Sequence, residues 1–268
     1  MLLKFCKYHG IGNDFIIIDN RMAAFPDNDK VLVSRLCNRR TGIGADGLIL
    51  LNNAPGYDFR MVYYNADGME SSMCGNGGRC IAKFAASIGL ITDKAAFLAI
   101  DGEHQAVLHD SEVCISMRDV AIEEVTSDHC VMDTGSPHYL QFRENIEDID
   151  LLQEARKIRY SSRFKNKGVN INFLEWKNDI LHIRTYERGV ENETLSCGTG
   201  MVAAALYAAV KGDLPAPYLW SGKNKNECKL STKGGTAKVN FIKASDNSFN
   251  GIRLTGPAEF VFKGEIDV

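Results

Sequence analysis

The sequence predicts an α+β chain built from two halves of similar fold. Three features point there: many short apolar segments bounded by Gly, Asn or Asp, few helical segments, and an internal repeat. The chain has 268 residues, enough for one large domain or two of roughly 130 residues. Hydrophobic residues make up 45% and charged residues 24%, the balance of an ordinary globular protein.

Taken in order, β-branched and aromatic residues concentrate at 15–19, 47–51, 59–64, 96–100 and 112–117, then at 169–176, 180–186, 237–241, 251–255 and 259–262. Short runs of this kind, ended by turn residues, fit buried or half-buried strands. Residues 28–38 carry apolar side chains at 31, 32, 33 and 36, as a short amphipathic helix would, and 149–159 is similar. The segments 77–88 and 200–210 are stronger helix signals, the second with a run of alanines. No Pro-rich linker or low-complexity stretch divides the chain.

The repeat emerges when CGNGGRCIAKFAA, from Cys74, is written above CGTGMVAAALYAA, from Cys197. Cysteine, both glycines and the alanines 82/205, 85/208 and 86/209 coincide, with Phe84 over Tyr207. The offset from 74 to 197 is 123 residues. It also brings Gly12 onto Gly135, Arg40 onto Arg163, Leu48 onto Ile171, Tyr63 onto Tyr186 and Glu70 onto Glu193. The chain therefore reads as an N-terminal lobe over 1–122 with Cys74 and a C-terminal lobe over 123–256 with Cys197. The last strand, 257–268, is expected to return to the first lobe.

Lys plus Arg is 31 against 34 Asp plus Glu, a net charge of −3, and the pI is near 6.1. That argues against a nucleic-acid or anionic-membrane partner, which would normally require a basic surface. No apolar run approaches the ~20 residues that span a bilayer, and the start, MLLKFCKYHGIGNDF, lacks a signal-peptide pattern. The expected location is the cytoplasm. There the eight cysteines, 6, 37, 74, 80, 114, 130, 197 and 228, are read as free thiols. Without C-x-x-C or His spacing beside a Cys pair, no metal site is expected. Cys80, Trp176 and Trp220 read as packing residues, and His9, His104, His109, His129 and His182 as surface or hydrogen-bonded histidines. The sequence GIGADG at 42–47 satisfies G-x-G-x-x-G, but a strand follows it where a dinucleotide fingerprint needs a helix.

The chemistry lies in the two Cys-Gly-x-Gly helix starts. Glycines bring bare N–H groups against a ligand, and a helix N-terminus presents unpaired donors with about half a positive charge. A carboxylate fits there, and the same field favours the thiolate of a neighbouring cysteine. Two such starts would place one thiol on each face of an α-carbon. One thiolate removes its proton and the other thiol returns one, while the helix ends stabilise charge building on the carboxylate.

Together with HGIGNDF, RRTGIGADGLILL, YYNADGMESSMCGNGGRC, GSPH, GVNINF and YERGVENETLSCGTG, these blocks resemble the diaminopimelate epimerase family along essentially the whole chain. Those enzymes convert LL- to meso-diaminopimelate without pyridoxal phosphate, on the lysine and peptidoglycan route. The resemblance implies two pseudo-symmetric lobes, each a mainly antiparallel β layer wrapped around a central helix. It implies Cys74 and Cys197 as the acid–base thiols, with Cys197 the base and Cys74 the acid from LL to meso. Asn13, Asn65, Asn170, Glu187 and Arg188 match substrate-binding positions. Gly75 with Asn76, and Gly198 with Thr199, match the pairs whose N–H groups hold the reacting carboxylate. His138 and Glu187 match residues that assist near the reacting centre. No cofactor is implied, and a homodimer is.

Two positions depart from the family pattern. Ser136 stands in GSPH where Asn is usual, a shorter group whose contact is expected to pass through water. Gly47 stands where some relatives carry Gln and offers backbone alone. At the repeat offset they pair with Asn13 and Asn170, so both touch recognition of the substrate's distal end. Two rival readings are a racemase or epimerase of a proline-like imino acid, which typically has His where Asn76 stands, and a non-catalytic thiol or ligand-binding protein. The phenazine-type isomerases share the fold but lack the thiol pair.

Overall fold

A computed structural model describes residues 2–26, 29–212, 214, 225–245 and 247–268; Trp220 lies outside them. In chain order the elements begin β1 (Leu2–Gly10), β2 (Asn13–Asp19), α1 (Lys30–Cys37), β3 (Gly47–Asn52), β4 (Phe59–Asn65), α2 (Gly75–Ser87), β5 (Lys94–Ala99), β6 (Gly102–His109) and β7 (Glu112–Ser116). They continue with β8 (Val120–Val125), β9 (Cys130–Asp133), β10 (Pro137–Phe142), α3 (Leu151–Arg159), β11 (Asn170–Lys177), β12 (Ile180–Glu187) and β13 (Asn192–Thr194). Last come α4 (Gly198–Lys211), β14 (Lys225–Thr232), β15 (Gly235–Ser245), β16 (Ser248–Pro257) and β17 (Glu259–Asp267). The described residues form two compact units, Met1–Ile115 with Gly256–Val268, and Ser116–Thr255.

In the first unit the strands run β17-β1-β2-β3-β4-β5-β6-β7. Only β2–β3 and β4–β5 are parallel pairs among them. The second unit repeats this order as β8-β9-β10-β11-β12-β14-β15-β16, with β10–β11 and β12–β14 parallel. There β16 returns to pair with β8 and closes the sheet on itself, leaving those strands without a free edge. The repeat holds at the level of single pairs: β2–β3 sets Phe15 beside Gly47, and β10–β11 sets His138 beside Asn170. Both pairs differ by the 123-residue offset read in the sequence.

Each unit is filled by one helix. Every residue of α4 from Gly198 to Ala208 is buried, and α2 is buried from Gly75 to Ala85 apart from Lys83. A helix apolar on all sides belongs inside a core, and alanine lets the sheet approach closely from every direction. Both helices begin two residues earlier than their periodicity predicts, at Gly75 and Gly198, so that Cys74 and Cys197 are the N-caps. The reason is packing. A Cβ on Gly77 would stand 3.0 Å from Ile49 Cδ1, and one on Gly78 would stand 2.8 Å from Met73 Cε. The low helix propensity of glycine made that first turn read as loop.

The sequence reading also passed over β1, because Lys4, Lys7 and His9 interrupt its apolar residues. The strand nonetheless turns Leu3 and Phe5 inward with Lys7 on the same face. Lys7 is satisfied there by Asp14 Oδ2, 2.8 Å from its Nζ, and by the Gly44 carbonyl. The GIGADG loop spends its amides on the end of α1: Ile43 and Gly44 N–H donate to Leu36 O, and Ala45 N–H to Cys37 O.

Candidate active site

The topology gathers the candidate residues at one end of each sheet. In the first unit β2 begins at Asn13, β3 begins at Gly47, β4 ends at Asn65, and Cys74 caps α2. In the second, Ser136 precedes β10, β11 begins at Asn170, β12 ends at Glu187 beside Arg188, and Cys197 caps α4. Parallel strands that start together, beside an antiparallel strand that ends there, bring distant sequence positions to one rim.

In the first unit Asn13 is the hub. Its Nδ2 donates to Asp46 Oδ2 at 2.7 Å, which turns Oδ1 toward the helix start. Oδ1 then accepts from Asn76 Nδ2 at 3.2 Å and from the Cys74 thiol at 3.6 Å. Behind Asn76 stands Arg79, fully buried, donating to Asn76 Oδ1 at 2.7 Å and to the Gly75 and Pro257 carbonyls at 3.3 Å. Burial lowers its pKa, opposed by neighbouring Cys80, Cys74 and Glu112. In front, Arg39 grips both Asp46 and Asp14 at 2.6–3.0 Å. Burial alone would raise the Asp14 pKa; hydrogen bonds and charge from Arg39 and Lys7 outweigh it and hold the group at about 2. Gly47 contributes backbone alone, since a Cβ there would stand 2.5 Å from both the Tyr63 ring and the Tyr64 carbonyl. Asn65 pairs with Gly47 across the sheet, and its N–H donates to Met69 O.

In the second unit Cys197 is buried, and its sulfur lies 3.4 Å from Thr199 Oγ1. Thr199 Oγ1 is 2.9 Å from His138 Nε2, and the Thr199 carbonyl accepts from Thr134 at 2.9 Å. His138 is wholly buried. Burial first, and the nearby Arg188 charge second, push its pKa down to about 3, so the ring is neutral. Asn170 Oδ1 accepts the Arg188 N–H at 2.8 Å, and its Nδ2 donates to Ser136 Oγ at 2.9 Å. Ser136 Oγ also lies 3.5 Å from Arg188 Nη2, so the short serine still joins the cluster directly within the chain. The Arg188 guanidinium donates to Lys167 O at 3.1 Å. Glu187 stands beside it at the end of β12.

Neither cysteine-capped helix has a side-chain cap or an acidic residue in its first turn. Each N-terminus thus keeps the donors and positive field that suit an anion. All eight cysteines are free thiols, and no cluster of His, Cys, Asp or Glu among the described residues could hold a metal.

Sequence reasoning missed Arg79, Asp46 and Asn172. Asn172 had a visible signal: two residues after Asn170 on a strand, it shares that residue's face. Arg79 lies three residues after Asn76 on the same helical face, but an arginine in an apolar helix suggests nothing of burial.

A family model described as diaminopimelate epimerase matches residues 5–120 and 130–261. Diaminopimelate epimerase of Flavobacterium psychrophilum is 46% identical over 267 residues, covering 98% of this chain and all of that protein. The one from Chlorobaculum tepidum is 41% identical, covering 96% of this chain and 98% of that protein. Among solved structures, a PhzF-family phenazine biosynthesis protein of Bacillus anthracis superposes with a TM-score of 0.75 at 14% identity, covering the whole of both chains. A hydroxyproline epimerase from Agrobacterium vitis gives 0.72 at 13% identity, covering 99% of this chain and 92% of that one. At such identities these structures speak to fold. The fold is α+β, in two similar mainly antiparallel units around central helices. Identity along the full length decides the rest: the chain belongs to the diaminopimelate epimerase family.

Proposed function

We propose that the chain interconverts LL- and meso-diaminopimelate by taking the α-proton from one face of the carbon and returning a proton to the other. In the LL-to-meso direction Cys197 is the base and Cys74 the acid; the reverse direction exchanges them. Family membership makes the chain an isomerase. One observation carries the assignment of roles. The Cys74 thiol donates to a fixed carbonyl oxygen, Asn13 Oδ1, whereas the Cys197 sulfur faces a hydroxyl. An acceptor favours the protonated thiol, and a hydroxyl is able to stabilise a thiolate.

The reacting carboxylate takes the N–H groups of Gly75 and Asn76 and of Gly198 and Thr199, where the helix field offsets the charge that develops as the α-carbon loses its proton. Arg188, with its planar fork of donors, suits the distal carboxylate. Asn65, Asn170, Ser136 and Glu187 complete the recognition of that end. Two thiols accomplish both proton transfers, so the reaction calls for no cofactor. The family resemblance extends the reading to a cytoplasmic homodimer; no described helix is long and apolar enough to cross a membrane.

The test is NMR of α-proton exchange in D₂O, with LL-diaminopimelate and L-proline offered separately. Diaminopimelate is expected to epimerise, with solvent deuterium entering the product faster than the recovered substrate, and proline to stay unlabelled. Cys74→Ala and Cys197→Ala should each abolish epimerisation. Equal labelling of product and substrate would contradict two separate thiols, and exchange of proline alone would move the chain to the imino-acid racemases.

A further inference from the structure

The Thr199 hydroxyl has one proton, and its direction decides what Cys197 meets. Oγ1 lies between His138 Nε2, at 2.9 Å, and Cys197 Sγ, at 3.4 Å. If Nε2 carries the imidazole proton it donates to Oγ1, and the hydroxyl proton turns to the sulfur. If Nε2 is bare, it takes the hydroxyl proton, and the sulfur faces oxygen lone pairs.

The packing behind the ring selects between these arrangements. Asn172 Nδ2 lies 3.1 Å from His138 Nδ1 and 3.1 Å from the Tyr139 carbonyl. The carbonyl can only accept, so the atom facing it must be the amide nitrogen. The Thr185 hydroxyl, donating to Asn172 Oδ1 at 2.9 Å, holds the amide the same way round. Asn172 therefore donates to Nδ1, and the single proton of the neutral ring sits on Nε2. Asn170 pulls against this. Its Nδ2, fixed by the Arg188 N–H at Oδ1 and by Ser136, lies 3.4 Å from Nε2. That contact is the longer one. A protonated Nδ1 would instead set its own N–H against the Asn172 N–H at 3.1 Å, so the shorter contact prevails.

We infer that Asn172 is a positioning residue for Cys197: by keeping the His138 proton on Nε2 it turns the Thr199 hydroxyl toward the sulfur and favours the thiolate. The inference rests on Cys197 being the base of the proposed function. Arg188 is the charged group that acts on the ring. The first unit provides a contrast. At the repeat offset Phe15 stands for His138 and Ile49 for Asn172, both buried and apolar, so this chain of hydrogen bonds belongs to one cysteine of the pair. The asymmetry suits two thiols that must begin a turnover in opposite protonation states.

The test uses the full chain without substrate. Nitrogen-15 NMR, with His138 assigned by the loss of its signals in His138→Gln, should show a protonated Nε2 and a bare Nδ1. The rate of Cys197 alkylation by iodoacetamide, followed against pH by mass spectrometry, gives a midpoint independent of access. That midpoint should rise by about one pH unit in Asn172→Leu and in Thr199→Val, a tenfold loss of thiolate below it, and stay in place in Thr199→Ser. A purely structural role would leave it unmoved. A bare Nε2 in the unaltered protein, which needs no variant to fold, would overturn the inference, as would an unchanged midpoint in Thr199→Val. Survival of diaminopimelate exchange in Cys197→Ala would instead overturn the proposed function and leave the tautomer result standing.

Discussion

Arg79 shows how much a single side chain can hold at the candidate site. It is fully buried, yet its guanidinium meets the Asn76 amide, the Gly75 carbonyl and the Pro257 carbonyl. These contacts fix Asn76, whose amide in turn fixes Asn13 beside Cys74. Methionine is of similar length but would remove the guanidinium donors from Asn76 Oδ1 and from the Gly75 and Pro257 carbonyls. Arg79→Met is expected to cost about 2–3 kcal/mol in urea unfolding and to weaken substrate binding, read as a raised KM. A variant as stable as the parent would show that the guanidinium does not support the helix start. In the second unit a Cβ on Gly200 would come 2.9 Å from Asn172 Oδ1 and 3.3 Å from His138 Cε1. Gly200→Ala should therefore lower kcat severalfold by displacing that chain, with a stability loss of about 1–3 kcal/mol; an unchanged kcat would count against the tight packing.

At the scale of elements, charge joins β1, β2 and the loop before β3. Asp14, on β2, binds Lys7 of β1 and Arg39 of the loop. Its folded pKa of about 2 lies below the usual 3.8. The group therefore contributes stability that is fully present above pH ~4 and is lost as pH falls toward 2, roughly 2 kcal/mol in all. Asp14→Asn should flatten that part of the acid-unfolding curve, measured by circular dichroism from pH 5 to 2; a curve parallel to the parent's would exclude Asp14 as its source. The same interaction explains why β1 escaped sequence reasoning. Its alternation puts a lysine on the inner face, and nothing local reveals one partner seven residues away and another 37 residues away.

At the scale of the whole molecule, β17 belongs to the first unit although it is last in the chain, pairing with β1 from Leu2 to His9. Removal of 257–268 would expose the β1 backbone and the inner residues Leu3 and Phe5. Hydrogen exchange should then quicken in β1 and β2 while the α4 amides keep their protection, because the second unit closes its own sheet through β8 and β16. Equal loss of protection in α4 would show that the two units unfold as one.

The sequence by itself determined the α+β class, the four α-helices and most of the strands among the described residues, the 123-residue repeat and the two Cys-Gly-x-Gly helix starts. All of these depend on local periodicity and on residue types within a few positions of one another. The family resemblance, carried by short motifs, also named Asn13, Asn76, His138, Asn170, Thr199 and Arg188 as site positions. Only the tertiary structure decided what each of them faces. Asn13 presents its oxygen to Cys74 because Asp46 takes its nitrogen, and Asn172 presents its nitrogen to His138 because the Tyr139 carbonyl can only accept. The direction of a hydrogen bond depends on partners brought together by folding, and in this chain that direction distinguishes one cysteine from the other.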